Sequence, residues 1–174
     1  MNREELEEYI NAYGKEVYSF CCFLTKNRIC ADDLYQDTFL KLYESKDTTL
    51  LYNAKSYIMS IAVNLYRNQK RKEFIRQRII GTDISEEDSI EQIADTECSI
   101  EGQIIQKEAT EAVRNIVREL SDKYRIPLLL FYMEEMSIAN ISAILKLSEG
   151  TIKSRIHRGK KIIRQKMEAM FYEK

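Results

Sequence analysis

Residues 137–167 read SIANISAILKLSEGTIKSRIHRGKKIIRQKM. The part from Leu147 onward holds eight Lys, Arg and His residues together with Ile and Met at helical spacing. A solvated helix needs charge, but not charge of one sign; a core helix needs the Ile, but not the Arg. At about 100° per residue, Ile152, Ile156, Gly159, Ile163 and Met167 fall within one narrow arc. Lys153, Ser154, His157, Arg158, Lys161, Arg164 and Gln165 lie on the other side, with Arg155 on a flank. One stripe buries itself and nearly everything else is a donor. Gly159 inside the stripe predicts close approach of another backbone.

Upstream, SIANISAIL (137–145) predicts a short helix with Ile138, Ile141, Ile144 and Leu145 inward. The connection Lys146-Leu147-Ser148 is short, and Ser148 can cap the second helix. Short helix, tight turn and basic second helix form a helix-turn-helix. Its second helix would enter a major groove through its N-terminal half. Lys153, Ser154, Arg155, His157, Arg158 and Lys161 are then the base-edge and phosphate candidates. A basic helix can also be a plain solvated face, and His157 alone reads as a bystander. The capped helix before it, at the right spacing, favours the groove.

The rest of the chain is helical in composition. One Pro and five Gly in 174 residues leave little material for hairpins. The expected fold is all-α, with two helical domains, 1–80 and 103–174, joined by an acidic linker at 81–102. Helices are predicted at about 3–13, 15–27, 31–45, 54–79, 103–119, 122–134, 137–145 and 149–170. Asp32-Asp33 would complement the dipole at the start of the third, and Asn53 or Ser56 would cap the fourth. Pro127 either kinks its helix or sits near its first turns. No stretch of eighteen apolar residues occurs, and the opening MNREELEEYI is too acidic for a signal peptide, so a cytoplasmic protein without membrane insertion is expected. Cys21, Cys22, Cys30 and Cys98 fit neither a zinc pattern nor a disulfide framework and read as small buried hydrophobes. No metal or cofactor is expected. One His, no glycine-rich phosphate loop and no nucleophile elbow leave an enzyme without a catalytic residue.

The net charge of −1 conceals strong segregation. Residues 51–80 carry seven cations and one acid, 81–111 one cation and ten acids, and 148–174 eight cations and three acids. Two basic blocks flank an acidic one, so a near-neutral total hides two phosphate-binding surfaces.

Two stretches of the N-terminal half carry chemistry. In ADDLYQDTFLKLYE (31–44), Leu34, Phe39, Leu42 and Tyr43 can pack inward, leaving Asp33, Gln36 and Asp37 outside. In NAKSYIMSIAVNLYRNQKRK (53–72), Ile58, Ile61, Ala62 and Leu65 form an inward stripe. Tyr57, Asn64, Tyr66, Arg67, Lys70, Arg71 and Lys72 supply aromatics, an amide and cations. That mixture suits opened DNA, whose bases stack on aromatic faces while cations hold the backbone.

The C-terminal stretch 120–167, above all S-x-G-T-x-K-S-R at 148–155, resembles region 4 of the extracytoplasmic-function sigma factors of bacterial RNA polymerase. LuxR-type output domains share its four-helix pattern. Met136 and Lys146 stand where the family commonly has turn glycines. The stretch 31–44 is similar to the family's region 2.2, and 53–72 to regions 2.3 and 2.4, with Tyr57 in place of a Trp and Ala54 in place of a Phe. The resemblance implies that Asp33, Gln36, Asp37 and Leu40 dock on the β′ coiled coil of core RNA polymerase. It implies that the 53–72 segment recognises and melts the −10 element, Asn64 receiving a flipped base, and that the basic C-terminal helix reads the −35 element. The implied partners are promoter DNA, core polymerase through β′ and the β flap, and an anti-sigma factor. The linker would thread polymerase channels, and its like charge would keep the free protein off DNA. Two rivals stand beside this: a free-standing helix-turn-helix regulator, and a helical adaptor protein.

Overall fold

The computed structural model describes residues 2–25, 27–45, 50–80 and 104–172, with side chains at all but 50–52, 80, 104–110 and 171–172. The helices among them are α1 (Arg3–Leu24), α2 (Arg28–Glu44), α3 (Leu50–Ile80), α4 (Ile104–Glu119), α5 (Asp122–Leu128), α6 (Ile138–Leu145) and α7 (Glu149–Tyr172). A π-helical stretch, Leu129–Met133, follows α5. They form two compact units, one containing α1 to Cys21, α2 and α3, the other containing residues 22–26 with α4 to α7. The predicted linker, 81–102, lies outside the described residues.

In the first unit, Asn2 opens α1 reciprocally. Its side-chain oxygen accepts from the Glu5 amide (2.7 Å) and its own amide donates to the Glu5 carboxylate (2.9 Å). The two helices expected on either side of Gly14 are one helix. A mid-helix glycine costs only about 1 kcal/mol, and this one is buried where a β-carbon would stand 2.9 Å from the Tyr35 hydroxyl. Asn27 caps α2 by accepting from the Cys30 amide (2.8 Å). The helix therefore starts three residues before its predicted position, and Asp32-Asp33 sit in its second turn. Asp32 instead accepts from the Tyr18 hydroxyl at 2.8 Å.

Ala31, Leu34, Thr38, Phe39 and Leu42 form the buried stripe of α2. Thr38 is admitted because its hydroxyl donates to the Leu34 carbonyl (2.6 Å). Tyr43, expected inward, is 44 % exposed, because the stripe has turned past it. In α3, Asn53 has non-helical φ and ψ, and its side chain accepts from the Ser56 amide (3.1 Å). Ile58, Met59, Ile61, Ala62, Val63 and Tyr66 are buried as α3 packs on α2. Leu65 is only partly covered. Of the cysteines, Cys21 is buried, Cys22 partly so and Cys30 exposed, against the expectation for the last; Cys98 lies outside the described residues.

The second unit is built around a proline. Pro127 has no N–H to give the preceding turn, and two residues later the backbone widens into the π-helical stretch. Glu134 donates its amide to the Leu129 carbonyl (3.2 Å) and Met136 to that of Leu130 (3.0 Å). Buried Arg125 donates to the Arg118 carbonyl (3.1 Å) and pairs with Asp122, so its charge is compensated inside the fold. The connection into α6 takes its left-handed residue at Glu135 (φ 53°), one position before Met136.

Candidate nucleic-acid interface

The helix-turn-helix is assembled from local chemistry. Ser137 caps α6 by accepting from the Asn140 amide (3.1 Å). Lys146 ends it in the left-handed region (φ 54°, ψ 46°), and its amide and that of Leu147 both donate to the Ser142 carbonyl. A β-carbon there costs about 1–2 kcal/mol, so the turn keeps a glycine-like shape without a glycine. Ser148 then caps α7, accepting from the Thr151 amide (3.2 Å) and sharing a hydrogen bond with its hydroxyl (2.9 Å).

Ile152, Ile156 and Gly159 are buried, and Ile163 and Met167 partly so. A β-carbon at Gly159 would stand 2.5 Å from Leu128 Cδ1, 3.3 Å from Leu128 Cγ and 3.4 Å from Tyr124 Cβ. The close approach is thus made by α5 side chains, not by backbone.

That seating fixes the opposite face of α7. Lys153, Ser154, His157, Arg158 and Lys161 are exposed, and Arg155 is partly covered. Ser154 donates its hydroxyl to the Thr151 carbonyl (2.9 Å), which leaves its lone pairs outward. Lys153 lies 3.9 Å from Glu149, a contact that solvent screens heavily. Lys160 is a cation missing from the sequence candidates. It is exposed, 5.6 Å over the ring of Tyr132, itself 53 % exposed. Its position beside the apolar stripe was the available signal.

On α3, helical geometry brings Tyr57, Asn64, Arg67 and Arg71 onto one face, through steps of three, four and seven residues. Asn64, Arg67 and Arg71 are exposed and Tyr57 is partly covered. Lys70 and Lys72 flank this face, and Lys70 pairs with Glu73 at 3.0 Å. Tyr66 does not join them. It is 3 % exposed, because position 66 continues the buried stripe from Ile58, Ala62 and Val63, so its ring is core and offers no stacking surface in this structure.

On α2, Asp33, Gln36, Asp37 and Leu40 share one exposed face, with Leu40 58 % exposed. Ile29, 74 % exposed and one turn before Asp33, extends the same line. The i, i+4 spacing marked it, but an isolated apolar residue at a helix start reads as noise. Behind this face, burial first and then nearby Cys21 push the Tyr35 phenol above its ordinary value of 10.0. Among the described residues no cluster of three or more His, Cys, Asp or Glu could hold a metal ion, and no helix is long and apolar enough to cross a membrane.

Comparison with known proteins joins these surfaces. Residues 9–74 match the family described as Sigma-70 region 2, and residues 110–163 match Sigma-70, region 4. The ECF RNA polymerase sigma factor SigW of Bacillus subtilis (strain 168) is 26 % identical over 171 residues, covering 95 % of this chain and 90 % of that protein. The ECF RNA polymerase sigma factor EcfG of Rhodopseudomonas palustris (strain TIE-1) is 30 % identical over 170 residues, covering 97 % and 86 %. The fold is similar to that of the sigma factor RpoE in its complex with the anti-sigma factor NepR from Bartonella quintana. That match has a TM-score of 0.74 at 21 % identity and covers 95 % of this chain and 98 % of that one. A free-standing regulator or a helical adaptor gives no reason for both regions on one chain. The chain belongs to the extracytoplasmic-function sigma factors of the sigma-70 family.

Proposed function

We propose that this sigma factor recognises a promoter in two pieces while bound to core RNA polymerase. α7 reads the −35 duplex, with Lys153, Arg155 and Arg158 at base edges and phosphates and with Ser154, His157 and Lys161 beside them. The α3 face of Tyr57, Asn64, Arg67 and Arg71, flanked by Lys70 and Lys72, engages the opened −10 element. Its stacking rests on Tyr57 alone, with Tyr66 in the core. The α2 face of Asp33, Gln36, Asp37 and Leu40 docks on the β′ coiled coil, and the second unit on the β flap. The domains are 1–80 for docking and −10 recognition and 103–174 for −35 recognition, joined by the linker 81–102.

The observation that carries this reading is the seating of α7. Three buried positions, Ile152, Ile156 and Gly159, hold one side while five donor side chains stand in solvent on the other. A surface so fixed can read a duplex of fixed groove geometry. Neither DNA surface needs high affinity alone, because polymerase tethering makes the second contact intramolecular. The chain acts as a recognition subunit in the cytoplasm and has no catalytic residue of its own. The likeness to RpoE, solved with NepR, and to CnrH, solved with the cytosolic domain of CnrY (TM-score 0.67, 16 % identity), supports an anti-sigma factor as a further partner.

Reconstitution with bacterial core polymerase on a promoter library tests the proposal. Transcripts should start at defined sites preceded by two conserved elements. Absence of specific initiation with any library member overturns it.

A further inference from the structure

Lys160 is held by an aromatic face. Its ammonium lies 5.6 Å over the centre of the Tyr132 ring, and both side chains are exposed. Elsewhere on α7, Lys153 lies 3.9 Å from Glu149 and Lys166 pairs with Glu119. Among the described residues no carboxylate pairs with Lys160. The difference matters to an anion. A carboxylate restrains a lysine but cancels its charge and repels a phosphate. An aromatic face draws the ammonium through its quadrupole. The positive charge, and the N–H donors turned away from the ring, stay available to an incoming oxygen.

The backbone carries Tyr132 to this place. In an uninterrupted α-helix Tyr132 would stand one turn after Leu128 and two after Arg125, both buried, and would face the core. The π-helical stretch Leu129–Met133 takes in an extra residue and turns the ring outward to α7 instead. Phe131 meets that ring edge-on at 4.9 Å, which steadies its plane. On α7, Lys160 follows buried Ile156 by one turn, so its stem leaves from the rim of the buried arc and not from the middle of the donor face. Base edges lie before the middle of a helix seated in a groove, and the flanking phosphates lie before its rims.

We propose that Tyr132 is a positioning residue for Lys160, and that Lys160, held over the ring, takes a backbone phosphate beside the −35 groove. This contact rests on the −35 role proposed for α7 and adds to it a point that fixes register and orientation, not sequence. It also gives the widened backbone after Pro127 a use: the turn that departs from α-helical geometry is the one that presents the ring.

Holoenzyme formed from core polymerase and the full chain, on a fluorescent duplex carrying a promoter recovered from the library, tests this by a double-mutant cycle. Lys160→Met should weaken binding and reduce the slope of log affinity against log salt by about 0.9 in magnitude, the share of one phosphate. Tyr132→Leu should weaken binding about two- to fivefold, and Tyr132→Phe, which keeps the ring, should restore it. In the Lys160→Met background Tyr132→Leu should have no further effect. A loss from Tyr132→Leu that persists without Lys160 makes the ring a structural element and overturns the proposal. A loss from Tyr132→Phe equal to that from Tyr132→Leu gives the contact to the phenol hydroxyl and overturns it too, as does an unchanged salt slope in Lys160→Met. Failure of the cycle with specific transcription intact sinks this site alone. A library without any specific start sinks the promoter reading, and the site with it.

Discussion

α3 and α7 are both long basic helices, but they carry their cations on different foundations. In α7 the donor face lies over the stretch seated by Ile152, Ile156 and Gly159, so each side chain projects from a fixed backbone. In α3 the seated stretch ends at Tyr66, and most of the cations lie beyond it, on a helix without cover among the described residues. A duplex presents its donors and acceptors at fixed spacing and rewards the first arrangement. A separated strand is deformable and is held mainly by charge and stacking, which the second arrangement supplies. The contrast is between position and charge as means of recognition.

The largest expected effect is on the positional side. Arg155→Ala and Lys153→Ala should each lower run-off transcription from a cognate promoter by about 10- to 100-fold, a base-edge contact being worth about 1–3 kcal/mol. Unchanged transcription would remove those residues from the −35 contact. Arg71→Ala should instead lower open-complex formation only severalfold, and reduce the magnitude of its salt dependence by about one phosphate contact. A loss as large as that of Arg155→Ala, with unchanged salt slope, would break the distinction. Asp37→Arg places a cation in the acidic face of α2 proposed to dock, and should reduce co-purification with core polymerase while leaving the helical signal intact.

Smaller effects probe the foundations. Gly159→Ala should destabilise the second unit by about 1–3 kcal/mol, seen as a lower Tm, because buried Leu128 occupies the place of the new carbon. Lys146→Gly should raise stability by at most about 1 kcal/mol with the same promoter preference, since it relieves a left-handed residue while freeing the unfolded chain. Tyr35 gives the smallest signal. Its phenol keeps a proton in the folded protein at pH values where the unfolded chain has released it. Folding stability must therefore fall as pH climbs above about 10, and Tyr35→Phe should flatten that slope in alkaline denaturation.

The helix-turn-helix was legible in the sequence down to the cap of its second helix. Periodicity marked the buried arc of α7, and Ser148 stands where a hydroxyl satisfies a free amide; Ser137, read as the first residue of its helix, is that helix's cap instead. The first unit was harder to read. Gly14 suggests a break, and only the hydroxyl of Tyr35 on a neighbouring helix explains why it lies within one continuous helix. Tyr66 and Tyr43 exchanged roles for one reason: a tyrosine suits core or surface equally, and a small error in the phase of the stripe moves it across the boundary. Ile29 shows the opposite difficulty, since its spacing to Asp33 cannot be told from noise until burial is known, and Leu40 on the same line was reached through the family resemblance and not through its own pattern. The charge segregation was plain, whereas the tertiary partners that decide which cations are anchored were not.

Pro127 and the widened backbone after it have a consequence for protein engineering. A π-helical stretch takes in an extra residue per turn, so it shifts the rotational phase of the residues that follow it within the same helix, up to Glu134 where that helix ends. Ideal α-helical periodicity carried across Pro127 would therefore exchange inward and outward positions from Leu129 onward. A graft that replaces only the second half of this helix would put its apolar side chains into solvent, whereas residues 122–136 exchanged as one piece would keep them in the core.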